Sequence, residues 1–447
     1  MVVFRPFRGW RYDSVVVGDP ASVLSPPYDM ISIDMQESLR RLSPYNVVHL
    51  EAGESLDWSA PTTGQYTQTA SLFEDWIAKG ALKRDAEPSF YLLRQQFQHG
   101  GGDWSRLGII GCVGLEQYED RKVLPHENTE APAIRDRVSL MEACGANFSP
   151  IMSAYRDAEG SLSSVFQRAM AETPVVDVPD GMGGRSTLWR MADPEMLSSI
   201  TQFFHEKPVF LADGHHRYDA ALQYQRKKNQ ETTSQGAIDY SSARDRGAQA
   251  HDFVLMTMIG FEDPGLLVLP YHRVLGGLSE GQLAQFQDAL FEIFEANPFS
   301  SEGDQSADSL VAQVAEKGTE GHSLGVVGPA LLGPKFHGPQ LLTLRDGVDW
   351  RKWGSLAVSE AWILEERVLK PVLGEATLDH LGYSHDHQEA VEQVADGTNQ
   401  GAFLLKPFPM TEFQEIVGQG QKLPRKSTFF YPKLPTGMVI NQLGGVL

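Results

Sequence analysis

A short apolar segment that runs directly into a charged turn is the feature that most constrains the fold. Residues 208–212 (PVFLA) have the length and composition of a buried strand, and the sequence Asp-Gly-His-His-Arg follows at 213–217. Apolar residues at helical spacing then continue over 218–228 (YDAALQYQRKK). The sequence therefore predicts a strand, a tight turn and a helix in succession. Residues 213–217 are called the DGHHR turn from here on.

The rest of the chain alternates between helical and strand patterns, which predicts a mixed α/β (α+β) fold. Helices are predicted at 32–42, 67–80, 133–144, 162–171, 194–205, 280–296, 308–317, 353–369 and 411–418. Strands are predicted at 46–50, 90–97, 107–115, 149–155, 188–193, 340–344 and 402–406. Ser32 or Asp34 is expected to cap the first helix, and Pro371 to end the helix at 353–369. The polar segment 229–250 is predicted to be a mobile surface loop.

The length of 447 residues predicts about three domains. We expect an N-terminal α/β region at 1–104, a phosphate- or nucleotide-binding core at 105–275 and a C-terminal α/β region at 276–447. No apolar run is long enough to span a membrane, and no secretory signal is recognised. The two cysteines, Cys112 and Cys144, cannot form a disulfide framework, so a cytoplasmic location is expected.

The chain is strongly acidic. Lys and Arg together number 38 against 58 Asp and Glu, which gives a formal net charge of −20. Such a surface repels a phosphate backbone, so no nucleic-acid partner is expected. No membrane partner is expected either, since no apolar run is long enough to span a membrane. An anionic ligand has to be held by a local pocket. The oligomeric state is left open by the sequence.

The composition of the DGHHR turn favours phosphate binding. Gly214 permits close approach of the backbone, and the first N–H groups of the following helix lack intrahelical partners. His215, His216 and Arg217 add side-chain donors, and Asp213 is placed to accept a hydroxyl proton or to bind Mg²⁺. In the structural alternative, Asp213 only caps the helix while the two imidazoles pack locally.

A second group of candidates lies at 125–137 (PHENTEAPAIRDR). Glu127 or Glu130 is suited to act as a general base or metal ligand, and Arg135 or Arg137 to anchor an anionic substrate. The alternative is the exposed start of a helix, at which acidic residues are favourable. Taken by itself, this segment fits that alternative better.

Three further segments contain histidines or cations. The pair His272–Arg273 follows an apolar strand; taken by itself it fits a solvated loop better, and the alternative is a substrate-binding role in which it converges with Arg217. His380, His385 and His387 suggest a metal site, but no cysteine or paired carboxylate completes it. The segment 422–433 (KLPRKSTFFYPK) is predicted either to close over an anionic ligand or to form an edge strand.

The sequence DGHHRYDAALQY at 213–224 resembles members of the ParB/sulfiredoxin-like superfamily. Sulfiredoxins hold ATP phosphates with a Gly-Cys-His-Arg turn, and His215 here stands in place of that cysteine, which argues against sulfinic acid reduction. The turn is most similar to that of the free serine kinases in this superfamily. Those kinases use an upstream catalytic glutamate, a role that the resemblance assigns to Glu127, with Glu130 as the second choice.

The whole chain also resembles a bacterial and archaeal family of unknown function. The shared segments are PPYD (26–29), NVVHL (46–50), PHE (125–127), ANFSPI (146–151), DGHHRY (213–218) and KSTFFYPK (426–433). This resemblance implies serine or phosphoserine as the substrate class.

Together these observations predict a phosphotransferase that uses ATP or ADP, with Mg²⁺, to phosphorylate the hydroxyl of free serine or a similar small amino acid. Asp213 and Glu127 are the predicted catalytic residues, and Asp213 is the predicted metal ligand. The predicted phosphate-binding residues are Gly214, His215, His216 and Arg217, and the predicted substrate-binding residues are His126, Arg137, His272 and Arg273. Two alternatives remain: a phosphoserine phosphatase, and a nucleotide-hydrolysing switch that resembles ParB.

Overall fold

The computed structural model describes residues 2–52, 66–179, 183–205, 207–234, 249–299, 306–319 and 321–447. The described chain forms two compact units. The first contains the residues up to Leu267 together with Pro432–Leu447, and the second contains Val268–Tyr431. No helix among the described residues is long and apolar enough to cross a membrane.

The strands and helices that carry the fold are given in chain order. The strands are β1 (Phe4–Arg5), β2 (Trp10–Tyr12), β3 (Leu82–Arg84), β4 (Phe90–His99), β5 (Gly102–Gly114), β6 (Val123–Leu124), β7 (Ala146–Asn147), β8 (Ile151–Tyr155), β9 (Val176–Pro179), β10 (Arg185–Met191), β11 (Val209–Asp213), β12 (Phe253–Gly260), β13 (Leu267–Leu269), β14 (His272–Leu275), β15 (Phe294–Pro298), β16 (Ser323–Val327), β17 (Gln340–Leu344), β18 (Leu381–Ser384), β19 (Gly401–Leu404), β20 (Phe429–Tyr431) and β21 (Asn441–Gln442). The helices are α1 (Ser14–Val17), α2 (Ile33–Leu42), α3 (Val48–Glu51), α4 (Thr67–Ala78), α5 (Ala131–Cys144), α6 (Ser163–Met170), α7 (Pro194–Phe204), α8 (His215–Ser234), α9 (Glu280–Ile293), α10 (Ala307–Lys317), α11 (Pro329–Leu332), α12 (Glu360–Ile363), α13 (Lys370–Leu373), α14 (Thr377–His380), α15 (His387–Ala395) and α16 (Met410–Gly418). The predicted mixed α/β fold class is confirmed.

The first unit is built on a mixed sheet of nine described strands. Their order is β6-β11-β8-β12-β5-β4-β10-β9, and β1 pairs with β5. β11 lies between β6, to which it is parallel, and β8, to which it is antiparallel. Helices α5, α6, α7 and α8 cover the sheet through apolar side chains such as Ile134, Ile200 and Tyr218, which are at least nine-tenths buried. This burial fixes the strand that leads into the DGHHR turn.

The second unit is built on a smaller sheet. Its strand order is β15-β17-β16-β19-β14-β18, and helices α9 and α13 contribute to a core around Phe286, Leu342 and Phe403. The chain then returns to the first unit, where β21 pairs with β7 through Asn441 and Asn147. These units differ from the three segments expected from the sequence: residue 104 falls inside β5, so a boundary there would divide the β4–β5 hairpin. The three-segment division stays a prediction.

Most predicted elements are present within a few residues, and Ser32 is the cap of α2. Two predictions are wrong. Residues 46–50 (NVVHL) contain helix α3 rather than a strand. Residues 353–369 are not one helix ended by Pro371: short 3-10 turns precede α12, a π-helical turn follows at Leu364–Leu369, and α13 continues through Pro371. Helix α9 ends at Ile293, before β15. Within 229–250, α8 continues to Ser234, and most of the remaining residues lie outside the described ranges.

The side chain of Asn46 explains why the apolar run after it turns into a helix. Its Oδ1 accepts the N–H of Val48, the first residue of α3, at 3.0 Å. Its Nδ2 donates to the carbonyls of Ser22 at 2.8 Å and Leu24 at 2.9 Å. Asn46 is fully buried. These three bonds therefore decide the local structure against the strand propensity of Val47 and Val48.

We expect Asn46→Ala to lower the free energy of unfolding by about 2–3 kcal/mol, because three backbone groups, two of them in buried hydrogen bonds, lose their partner. The measurement is urea unfolding followed by circular dichroism. Gln68→Ala, at an exposed position of α4, is the control and is expected to change the free energy by less than about 0.5 kcal/mol. Equal stability of the two variants would contradict this account of α3.

Candidate functional site

The DGHHR turn joins β11 to α8 through a backbone conformation that requires glycine. Asp213 is the last residue of β11, His215 is the first residue of α8, and Gly214 between them has φ +95°. A Cβ atom on Gly214 would lie 2.8 Å from Nε of Arg217. The absence of a side chain therefore allows both the positive φ and the close approach of the Arg217 guanidinium.

Asp213 lies between two cations. Its Oδ1 accepts a hydrogen bond from Nζ of Lys433 at 2.5 Å, and its Oδ2 accepts one from Arg217 at 2.8 Å. Burial acts to raise the pKa of Asp213, but the charges of Lys433 and Arg217 outweigh it and lower the pKa well below the usual range. Asp213 is therefore ionised at neutral pH and accepts hydrogen bonds only.

Arg217 is almost completely buried, with 8% of its surface exposed. It also donates to the carbonyl of Pro150 at 2.8 Å, which fixes the turn against the residue before β8. Its buried Nε has no hydrogen-bond partner in the described part of the chain. The ring of Tyr28 lies 6.0 Å from the guanidinium carbon. The guanidinium is thus held in place, while its Nε–H is an unused donor in the described part of the chain.

His126 and Glu127 lie beside the DGHHR turn, as the sequence resemblance implies. The backbone N–H of His126 donates to Nε2 of His215 at 3.2 Å, and the two rings are nearly perpendicular with centroids 4.5 Å apart. Nδ1 of His126 lies 2.7 Å from the carbonyl of Leu211, and burial lowers the pKa of the ring. Nδ1 therefore carries the proton and donates it to that carbonyl. Glu127 Oε1 is 3.9 Å from Nε2 of His126, and a quarter of its side chain is exposed.

His216 is half-buried and faces carboxylates. Its Nε2 is buried and has no hydrogen-bond partner among the described residues. Burial lowers the pKa of His216, while the negative charges of Glu130 and Asp29 act to raise it. The neutral imidazole offers an unused nitrogen at the beginning of α8, which suits a polar ligand.

The hydrogen-bond donors of Arg137 are all engaged within the protein. Its guanidinium donates to Glu51, Asp136 and Tyr66, and all five of its N–H groups are engaged. It is 3% exposed and packs over the ring of Tyr28 at 4.2 Å. A substrate contact would have to replace one of these bonds, and the role of Arg137 in substrate binding stays a prediction. Arg135 is exposed on α5.

His272 and Arg273 belong to the second unit. Arg273 is fully buried and directs all five N–H groups to Glu365 and to the carbonyls of Tyr271, Arg425 and Lys426. Nδ1 of His272 accepts the N–H of Leu405 at 3.1 Å. These contacts account for both residues structurally, and their predicted role in substrate binding stays a prediction.

The three histidines considered for a metal are engaged separately. His380 contacts the carbonyl of Gly276 at 3.0 Å, His387 contacts Asp308 at 2.6 Å, and His385 stacks on Phe429. Across the described ranges, no group of three or more His, Cys, Asp or Glu side chains has the arrangement of a metal site. A metal ion bound at Asp213 would therefore need most of its ligands from water and substrate.

Lys433 is the site residue that sequence reasoning did not single out. Its ammonium is within hydrogen-bond distance of Asp213, 220 positions earlier in the chain. The available signal was the basic, aromatic segment 422–433, whose last residue is Lys433. In that segment, β20 (Phe429–Tyr431) is the strand that the sequence offered as one of two alternatives.

The sequence profile of one family, described as a protein of unknown function (DUF1015), matches residues 4–331. The chain belongs to the DUF1015 family. The resemblance to a family of unknown function, expected from segments such as PPYD and DGHHRY, is therefore confirmed. No curated protein matches the chain.

Several solved structures are distantly similar to this DUF1015 protein. A free serine kinase variant in complex with AMP has 13% identity and a TM-score of 0.32, and the match covers 69% of this chain and 84% of that chain. A conserved hypothetical protein from Pyrococcus furiosus has 14% identity and a TM-score of 0.31, with 70% and 90% covered. SbnI with a C-terminal truncation, from Staphylococcus aureus, has 12% identity and a TM-score of 0.30, with 73% and 84% covered. At such distances, function has to be inferred from the site itself.

We expect Gly214→Ala to destabilise the protein by about 2–4 kcal/mol, because the new methyl group combines a strained backbone with a clash against Arg217. Gly145→Ala is the matched control: Gly145 has φ +58° and no atom within 4 Å of the added Cβ. It is expected to cost about 1 kcal/mol. Thermal unfolding of both variants measures the difference, and similar costs would show that the approach of Arg217 to Gly214 is not a constraint.

The buried ring of His272 predicts a pH dependence of stability. Burial, followed by the charges of His387 and Arg273, lowers its pKa to about 3, against about 6.5 in an unfolded chain. Between these values the unfolded state binds the extra proton, so stability falls as the pH falls from about 6.5. From pH 7 to 5 this group contributes a loss of about 2 kcal/mol.

His272→Asn keeps an acceptor for the N–H of Leu405 and removes the titrating ring. Its loss of stability from pH 7 to 5, measured by urea unfolding, is expected to be smaller than that of the unmodified protein by about 2 kcal/mol. His205→Asn, at an exposed position, is expected to leave the pH dependence as it is. Identical slopes for all three proteins would rule out the His272 contribution.

Proposed function

We propose that this protein is a nucleotide-dependent phosphotransferase that acts on the hydroxyl of free serine or a similar small amino acid, with the DGHHR turn as its phosphate-binding site. The observation that carries the proposal is the placement of an ionised carboxylate, Asp213, against two cations at the beginning of α8. Phosphoryl transfer requires little more than positioning and the stabilisation of negative charge. The residues around this turn supply both.

The donors at the beginning of α8 support phosphate binding. Gly214 provides the carbonyl that accepts the N–H of Tyr218, so the N–H groups of His215, His216 and Arg217 are the first three of the helix. Such groups, together with the positive end of the helix dipole, favour an anion. Among the described residues, Nε of Arg217 and Nε2 of His216 are buried side-chain nitrogens of the turn that have no hydrogen-bond partner.

The two carboxylates are suited to different parts of the reaction. The depressed pKa of Asp213 makes it a weak base, so its role is to hold Arg217 and Lys433 in place beside the transferred phosphoryl group. Glu127 is partly exposed, and no arginine or lysine among the described residues forms an ion pair with it, so Glu127 is the better acceptor for the serine hydroxyl proton. The serine oxygen then forms a bond to the terminal phosphorus, while the bond from that phosphorus to the bridging oxygen of the nucleotide breaks. ATP leaves as ADP, or ADP as AMP, and Glu127 passes the proton to solvent.

Magnesium fits this site only as an ion that binds together with the nucleotide phosphates. Mg²⁺ is normally held by one or two carboxylates, water and substrate phosphates, and it neutralises charge on the transferred group. Asp213 and Glu127 are the carboxylates available for this purpose, and each oxygen of Asp213 already accepts a hydrogen bond from a cation.

The deciding experiment is phosphorus NMR of the purified protein with Mg²⁺, L-serine and either ATP or ADP. We expect a phosphomonoester signal that is lost in Asp213→Asn and reduced at least about 100-fold in rate in Glu127→Gln. Glu127→Gln is less disruptive to the fold than Asp213→Asn, because it leaves the contacts of Asp213 with Lys433 and Arg217 intact. Thermal unfolding establishes that each variant is folded.

Asp177→Asn is the matched control. Asp177 also pairs with an arginine, Arg185, but on the exposed strand β9. It is expected to retain full activity. Full activity of Asp213→Asn would overturn the assignment of the turn. Phosphate release from phosphoserine without nucleotide would favour a phosphatase, and slow nucleotide hydrolysis without phosphoserine formation would favour a switch.

A further inference from the structure

The C-terminal segment that returns to the first unit brings a cation to the carboxyl end of β11. The segment is anchored by backbone pairing of Thr436 with Ser25 and of Ile440 with Trp10. Its first two residues are Pro432 and Lys433, and the side chain of Lys433 is only 7% exposed. Lys433 is therefore a fixed part of the site, although the role of this segment is not determined by the sequence.

Two buried side chains on the central strands hold the backbone of this segment. Nε2 of Gln95 donates to the carbonyl of Lys433 at 2.9 Å. The guanidinium of Arg106 donates to the carbonyl of Pro432 at 2.7 Å and to Oε1 of Gln95 at 2.5 Å. Gln95 and Arg106 are each 1% exposed. The backbone of Lys433 is thus positioned by Gln95 and Arg106, independently of the contact between its side chain and Asp213.

Burial of the Arg106 guanidinium carries a cost in folding free energy. No carboxylate among the described residues accepts a hydrogen bond from Arg106, and burial lowers its pKa to about 9, with the charge of Asp263 opposing the shift. A buried guanidinium bonded mainly to neutral groups is unfavourable unless the structure gains something else from it. The bonds of Arg106 and Gln95 fix the backbone at Pro432 and Lys433, and thereby position the side chain of Lys433.

The net charge of the side chains at the DGHHR turn indicates a role for Lys433. Arg217 alone is sufficient to balance the charge of Asp213. The addition of Lys433 gives the group of three side chains a charge of +1, next to the positive end of α8. An excess of positive charge in a mostly buried group is favourable when an anion binds there.

We propose that Lys433 is a phosphate ligand of the DGHHR site, that its ammonium contacts the phosphoryl group of the nucleotide, and that Gln95 and Arg106 are positioning residues for it. The proposal rests on the proposed function, since it names a further residue of the same site. An ammonium has three donors, so Lys433 can keep its bond to Asp213 while it binds a phosphate oxygen. The lysine of the P-loop binds phosphates in the same way, as a point charge.

The test compares Lys433→Met, Lys433→Arg and Gln95→Leu. Isothermal titration calorimetry gives the affinity for ADP and ATP, and phosphorus NMR gives the rate of phosphoserine formation at saturating serine. Lys433→Met is expected to weaken nucleotide binding by about 10- to 100-fold and to lower kcat, while Lys433→Arg recovers part of both. Gln95→Leu keeps the charge but frees the backbone, so kcat is expected to fall more than nucleotide affinity.

Lys83→Met is the matched control, because Lys83 forms an ion pair with Asp13 away from the turn; its affinity and rate should be those of the unmodified protein. Unchanged nucleotide binding in Lys433→Met, in a protein that makes phosphoserine, would overturn the role of Lys433 alone. Weaker nucleotide binding in Lys433→Met, in a protein that makes no phosphoserine, would support Lys433 and overturn the proposed transfer to serine. If the unmodified protein binds no nucleotide, both proposals fall.

Discussion

The ion group formed by Asp213, Arg217 and Lys433 is the interaction on which the rest of the site depends. A carboxylate at the end of a strand and a guanidinium one helical turn later are local neighbours, but they are stable in a mostly buried position only when their hydrogen-bonding groups are satisfied. The carbonyl of Pro150 and the ammonium of Lys433 supply two of these partners, and Nε of Arg217 has none among the described residues. Three distant parts of the chain are consequently brought to one point.

The surroundings of this group are arranged to keep it rigid. The bond from the N–H of His126 to His215 ties the segment before α5 to the DGHHR turn. The buried cluster of Glu51, Arg137 and Tyr28 packs on the other side, and Ser149 donates to Glu51 at 2.8 Å. A site that is held in this way can stabilise charge without reorganising, which is the main requirement for phosphoryl transfer.

Several features of the fold were predictable because they are local. The strand before Asp213, the turn and the helix after it follow from hydrophobic periodicity and from one glycine, and the structure has them as β11, Gly214 and α8. The segment 46–50 was not predictable in the same way. Its β-branched residues favour a strand, but the buried side chain of Asn46 bonds to backbone groups more than 20 positions away and to the N–H of Val48, the first residue of α3.

The sequence by itself determined the location of the DGHHR turn, its strand and helix, and the proximity of Glu127 implied by the family resemblance. It did not separate arginines that complete the site from arginines that support it, because that difference lies in the partners of each guanidinium. Arg137 has every N–H engaged in a buried network, whereas Arg217 retains a donor at the turn. Only the tertiary structure brought Lys433 to Asp213, because a contact across 220 residues is fixed by the pairing of the C-terminal segment with the first unit and leaves no periodic trace in the sequence.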